Sequence, residues 1–272
     1  MSSCATPSAF SAVSAVVLTT VLLGGTAVPA TSVAAQTDFY NLDKDRPLRV
    51  EDAYATKRWA FELQGSPLTL NQTREGELHY APSLELKHGL LPGFEISVGS
   101  HLDVSRSGTE TSTTLGRVEV SGLANLWVET QRLPAVGIRV TGHVPTRSDA
   151  EADLEVRALV TRGVAGPVRA HINGAWLTGD GAREEWWAGL ALDWTLPFHH
   201  TLLLAEGWVA DGGEGDATFH TGTGGRIQLS PTLTLDAGVG RDWRGETGRD
   251  WSLTLGLTHE FAVRGLIPGP SR

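Results

Sequence analysis

The chain has 272 residues, with 32 Gly, 9 Trp, a single Met, a single Cys and a formal charge of −9. So much Gly disfavours long helices and suits a turn-rich β protein. The acidic balance argues against a nucleic-acid partner, which would need a basic face, and one cysteine, Cys4, excludes a disulfide framework or a Cys-based metal site.

Residues 1–35 carry no Asp, Glu, Lys, Arg or His. An apolar core from Ala12 to Val28 gives way to small residues, with Val33 and Ala35 before Gln36. This is the layout of a Sec-type secretory signal peptide cleaved near Ala35, although the usual basic leading stretch is missing. Thr19, Thr20, Gly24, Gly25 and Pro29 break the core, and no basic stop-transfer run follows, so a membrane anchor is the poorer reading. No later run reaches the ~20 apolar residues of a membrane helix, so a membrane location would require a closed barrel.

Residues 36–57 are polar and charged, without strand periodicity. They are expected to form a periplasmic segment or a plug in a barrel mouth. From 58 to 261 the chain alternates apolar and polar residues in runs of about ten, the length of a membrane strand. The runs fall near 58–64, 77–87, 94–104, 115–130, 135–144, 152–162, 167–177, 185–196, 201–210 and 218–229, followed by a last hairpin, Leu233 to Phe261. In that hairpin Leu233, Leu235, Ala237 and Val239, then Trp251, Leu253, Leu255, Leu257, His259 and Phe261, share the apolar face. The run at 201–210 is ambiguous, since Leu202, Leu203 and Leu204 break the alternation, while Glu206 suggests the inward parity.

Connections alternate between short Pro- or Gly-rich turns and longer polar loops, as in outer-membrane barrels with periplasmic turns. Trp176, Trp186, Trp208, Phe219, Trp243 and Trp251 fall near the loop ends of their strands, and Phe94, Trp194, Phe198 and Phe261 near the turn ends. Two aromatic bands are what two bilayer interfaces select. A soluble sandwich or lipocalin-like barrel would show similar alternation with the faces reversed. The bands, the even strand count and the export signal favour an all-β, twelve-stranded antiparallel transmembrane β-barrel of the bacterial outer-membrane type, with residues 262–272 as a tail.

Strand parity places Arg58, Glu62, Glu77, His79, Glu95, His101, Arg117, Glu119, Arg139, His143, Glu155, Arg157, Arg169, His171, Asp193, Arg226 and Asp236 on the polar, lumen side. They are the candidate pore lining; the competing reading is a salt-bridge network that fills the lumen and keeps it shut. Mixed signs predict no strong ion selectivity. His199-His200 and His259-Glu260-Phe261 lack zinc spacing. Asp211, Glu214 and Asp216 lack a calcium-loop pattern. Gly222, Gly224 and Gly225 are not a dinucleotide fingerprint, and Gly-x-Ser-x-Gly is absent. No catalytic residue, cofactor or metal site is therefore expected.

Several short motifs follow one another in a familiar order. Asp45-Arg46-Pro47 lies after the signal, Gly122-Leu123-Ala124-Asn125-Leu126 in a strand, Val144-Pro145-Thr146 at the close of the next, and Leu229 to Asp236 and Trp251 to Phe261 at the end. This order resembles the meta-pathway phenol-degradation family of outer-membrane transporters over about 45 to 261. Two departures are Ala124-Asn125 in place of Gly-Asp and eleven residues beyond Phe261. The resemblance implies an outer-membrane channel passing small solutes, hydrophobic or aromatic ones among them, by passive diffusion. Its partners would be outer-membrane lipid, the barrel-assembly machinery during insertion, and the solute. The alternatives are a closed structural barrel or adhesin, or a lipase-like barrel enzyme. The sequence sets no oligomeric state.

Overall fold

The computed structural model describes residues 39–107, 110–147, 150–179, 186–196, 200–211, 217–244 and 249–263. The expected signal peptide, Glu185, Phe198, His199, Glu214, Asp216 and most of the C-terminal tail lie outside them. The strands are β1 (Ala60–Thr73), β2 (Leu78–Tyr80), β3 (Ser83–Leu91), β4 (Phe94–Ser107), β5 (Glu110–Trp127), β6 (Ala135–Val144), β7 (Asp153–Ala165), β8 (Val168–Thr178), β9 (Trp186–Leu196), β10 (Thr201–Asp211), β11 (Thr218–Ser230), β12 (Leu233–Arg244) and β13 (Arg249–Ala262). Neighbours pair antiparallel in sequence order, and β13 returns to β1, from Ala60 opposite Ala262 to Thr73 opposite Arg249. β2 and β3 each pair with β1 on one side and β4 on the other, so they are two pieces of one stave. The piece between them is Ala81-Pro82, and Pro82 has no N–H to donate to a ladder. The thirteen strands thus make the twelve-stave closed barrel that the sequence predicts.

Burial runs opposite to that of a soluble barrel. On β7, Asp153, Glu155 and Arg157 are buried while Leu154 and Val156 are exposed. On β6, Arg139 and Thr141 are buried while Ile138 and Val140 are exposed. Ile96, Val98, Val120, Ile172, Leu190, Leu192, Ile227 and Leu235 extend this apolar exterior around the wall. An apolar outside with a charged inside matches hydrocarbon as the surrounding solvent. Val140 lies midway along β6, so Val140→Arg is expected to destabilise the barrel by about 2–4 kcal/mol in urea unfolding from vesicles. The same change in a barrel whose exterior faced water would cost little.

Some boundaries move. β4 and β5 stay paired to Ser107 and Glu110, so the region expected as a loop at 105–114 is mostly ladder. The turn between β5 and β6 takes 128–134, longer than expected. Trp208 was expected in the loop-side aromatic band, but it faces inward and is 3% exposed. Trp176, Trp194, Phe219 and Trp243 do face outward. At the seam, Phe61 on β1 stacks on His88 at 4.1 Å and on Phe261 of β13 at 5.5 Å, and Phe261 stacks on His259 at 6.0 Å.

Candidate functional site

The interior of the barrel is occupied by the chain's own residues 39–57. Phe39 lies edge-on to His200 in the β9–β10 turn at 5.5 Å, and the Tyr40 carbonyl accepts from Arg169 near the start of β8. The segment climbs past Pro47 to Leu48 at Gly222 and Arg49 at Trp208, then descends past Glu51 and Ala53 to Lys57, beside Gly89, before β1 begins. Its two legs are tied together. The Asp52 N–H donates to the Leu42 carbonyl at 3.2 Å, and the Leu42 N–H to Asp52 Oδ2 at 3.1 Å. Both legs therefore pass through the same, turn-side mouth.

An irregular segment can be buried only if its polar groups find partners, and here the wall supplies them. Glu206 takes the Arg49 and Val50 N–H groups at 3.1 and 2.9 Å. Asn173 accepts the Glu51 N–H at 2.9 Å and donates back to its carbonyl at 2.8 Å. Thr161 and Asn125 do the same for the N–H and carbonyl of Ala53, and Glu95 takes the Thr56 N–H and hydroxyl at 2.7 and 2.8 Å.

The charges of the segment meet opposite charges on the strands. Asp43 accepts from Lys87 at 2.8 Å, Gln64 at 2.6 Å and Arg226 at 2.7 Å. Lys44 pairs with Glu119. Glu51 accepts from Arg139 Nε at 3.0 Å and Arg157 Nη1 at 3.0 Å. Arg46 donates to the Thr258 hydroxyl at 3.0 Å. Pro47 rests on the wall where it has no side chains: a Cβ on Gly224 would come within 3.1 Å of Pro47 Cγ, and one on Gly238 within 2.8 Å of the Pro47 carbonyl. Arg46 and Pro47 of the Asp45-Arg46-Pro47 motif thus lie against β11–β13 on the rising leg, below Leu48 and Arg49.

A second, apolar patch lies inside. Leu42, Leu48 and Val50 pack with Ala175, Trp187, Ala191, Leu202, Leu204, Trp208 and Ala210. This explains the ambiguity of β10: Leu202 and Leu204 face in with Glu206, and Leu203 faces out. Near the turn-side mouth, Ala53 packs on Leu123, Ala135 and Leu159.

The sequence-selected residues divide into three groups. Glu95, Arg139, Glu155, Arg157, His171, Asp193, Arg226 and Asp236 are buried in the interior. Of these, Asp193 joins Arg169 and His171, the latter at 2.8 Å. Glu62, His101, Arg117, Glu119, His143 and Arg169 are partly buried there: Asp153 receives both Arg117 and His143, Glu62 accepts from Gln64, and His101 packs against Gly116 beside Asp103. The rest lie elsewhere. Arg58 precedes β1, is exposed and lies over the Trp59 ring at 4.6 Å, so it is not on an inward strand face. Glu77 and His79 are at the loop-side rim, nearly half exposed. Glu51, Trp187 and Lys87 were not singled out from sequence, and Glu206, read there as inward, was not placed in the pore lining. Glu51 lies in the aperiodic segment and Trp187 beside an outward Trp186, while Lys87 carried the correct parity.

Burial raises Asp52 to about 7, the Arg169 charge and the Tyr54 and Leu42 N–H groups only partly opposing it. At Asp43 burial also raises the carboxyl, but Lys87, Arg226 and Arg46 more than reverse this and hold it far below the usual range. A free Asp titrates near ~3.9, so docking Asp52 takes up a proton. Its contribution is full below about pH 4 and is lost as the pH rises through about 7, at ~1.4 kcal/mol per unit. Amide protection of residues 42–53 is expected to fall between pH 5 and 7.5, and Asp52→Asn is expected to flatten that slope in hydrogen exchange.

No protein-family model matches the chain, and no curated protein matches it in sequence. Among solved structures it is similar to the COG4313 outer membrane channel from Pseudomonas putida F1, with a TM-score of 0.60 at 14% identity over 77% of this chain and 98% of that one. The KdgM porin in complex with disordered oligogalacturonate follows at a TM-score of 0.54 and 8% identity, over 74% and 98%. The NanC porin gives 0.50 at 11%, over 73% and 98%. At such identities the likeness is one of fold: an outer-membrane-type β-barrel.

Proposed function

We propose that the protein is an outer-membrane channel for small solutes, closed in this state by its N-terminal segment. The observation that carries this is the re-entrant course of residues 39–57. Both legs leave by one mouth, so the loop can withdraw without threading its end through the barrel. Behind it lies a wall of charged and hydroxyl side chains, the candidate pore lining. The fold shared with a channel and two porins is consistent with this role. The resemblance of Asp45-Arg46-Pro47 and the later motifs to the phenol-degradation transporters supports hydrophobic or aromatic solutes. Export with cleavage near Ala35, and insertion by the barrel-assembly machinery, complete the reading.

A barrel that never opens is the second reading, favoured by the number of bonds holding the segment. Liposome swelling separates the two. Vesicles carrying a chain that lacks residues 39–57 should swell in small sugars or aromatic solutes faster than empty ones, and vesicles carrying the full chain only slightly faster. If neither the full chain nor one lacking the segment speeds swelling, the channel reading falls. The enzyme alternative gains no support from His259, whose Nδ1 lies 3.2 Å from the Thr232 carbonyl and whose ring stacks on Phe261.

A further inference from the structure

The wall residues that meet Arg49 are unlike those that meet the other charges of the segment. Its guanidinium lies over the Trp187 ring at 4.3 Å and over the Trp208 ring at 4.6 Å. The two indoles come from the inward faces of neighbouring strands, β9 and β10, where Trp187 is opposite Ala210 and Trp208 opposite Gly189. Gly189 leaves the space between them open: a Cβ there would meet Trp208 Cβ at 2.9 Å and Val50 Cγ2 at 2.8 Å. Further groups fix both indoles. Arg157 lies over Trp187 at 4.6 Å, and Trp187 Nε1 donates to Glu155 at 3.3 Å. His220 stacks on Trp208 at 4.6 Å with an interplanar angle of 10°. The slot also has a carboxylate at its edge: Glu206, whose two oxygens hold the Arg49 and Val50 N–H groups.

Two indole faces around one planar cation, with an anion beside it, form a site for flat positive groups. We infer that the Trp187–Trp208 slot is a solute-binding site for planar organic cations, such as arylamidinium or guanidinium groups, which Arg49 occupies while the segment is docked. The inference rests on reading the lumen as a solute path and names the class of solute it would select. Entry of such a solute displaces Arg49 and frees Glu206 from the segment backbone, so binding and withdrawal of the segment are coupled. A ligand shifts that equilibrium only by its preference for the open state.

The test is calorimetric titration of the folded barrel in detergent with benzamidine, which carries both the ring and the planar charge. Arg49→Ala should bind one benzamidine per chain about tenfold or more tightly than the unaltered chain, since the internal competitor is gone. Adding Trp187→Ala or Trp208→Ala to that variant should abolish the gain, with folding checked by heat-modifiable gel mobility. Should R49A misfold, Arg49→Gln supplies the same comparison. No gain on removing Arg49, or a gain that survives loss of both indoles, would overturn the site. Equal binding of neutral benzyl alcohol would overturn its assignment to cations. Because binding is read without ion flow, a barrel that conducts but binds no benzamidine sinks the slot alone. One that binds it and never conducts sinks the channel reading alone.

Discussion

A chain lacking residues 39–57 is expected to conduct steadily in a planar bilayer where the full-length chain is almost silent, a rise of about tenfold or more. The expectation follows from what the segment fills. Its removal clears the interior from the Phe39 contact at the turn-side mouth to Arg49 against Trp187 and Trp208. The strands keep their own pairing, including β13 to β1, so the barrel remains closed as a cylinder. The segment carries four acids (Asp43, Asp45, Glu51, Asp52) and four bases (Lys44, Arg46, Arg49, Lys57), so the deletion is neutral in charge. The buried strand residues that remain include eight carboxylates (Glu95, Asp153, Glu155, Asp193, Glu206, Asp236, Asp242, Glu260) against four bases (Lys87, Arg139, Arg157, Arg226). A modest cation preference is therefore expected in the reversal potential across a salt gradient. Silence from a deletion variant that still shows folded gel mobility would mean that the wall alone occludes the lumen.

The second large effect is expected at Glu51. Its carboxylate bridges Arg139 and Arg157, and all three side chains are 2% exposed or less. Removing one partner of a buried ion pair costs about 3–5 kcal/mol, because it leaves charge buried without compensation. Here the lower end applies. Arg139 keeps Glu95 at 2.8 Å, and Arg157 keeps Glu155 at 2.8 Å. Glu51→Gln should thus lower amide protection of the segment by about a hundredfold, at 1.4 kcal/mol per factor of ten. Amides of β6 and β7 should stay protected, since their ladders do not depend on the segment. If segment and strands lost protection together, the segment would be part of the barrel's cooperative unit rather than a removable element.

The wall was legible in the sequence because a two-residue period reports which side each residue faces, and membrane strands are long enough to make that period clear. Arg226 against Ile227 and Asp236 against Leu235 are read correctly this way. The same logic fails where the inner face is itself apolar. Leu202-Leu203-Leu204 offers no alternation, and Trp208 looks like an interface residue until its neighbours Val50, Trp187 and Leu204 are known. For the segment, a plug was legible only as one of two alternatives, and its partners were not legible. Aperiodic residues are positioned by tertiary partners, and those partners (Glu206, Asn173, Thr161) are spread over strands more than a hundred positions away. Composition marks Asp43 to Asp52 as polar; it cannot distinguish charges bathed in water from charges neutralised one by one inside a wall.

The position of the segment in the chain also sets an order of events. It is made before any strand, yet Arg46 bonds to Thr258, 212 positions later, and to wall residues that are brought together only when β13 has met β1. Contacts of such sequence separation form last, because the intervening chain must already be ordered. A segment synthesised before every strand is thus the last to find its place. During assembly the barrel passes through a hollow stage with Glu206, Arg139 and Arg157 facing water. Its lifetime is the interval between seam closure and docking, and Trp187 and Trp208 fluorescence during refolding would time it.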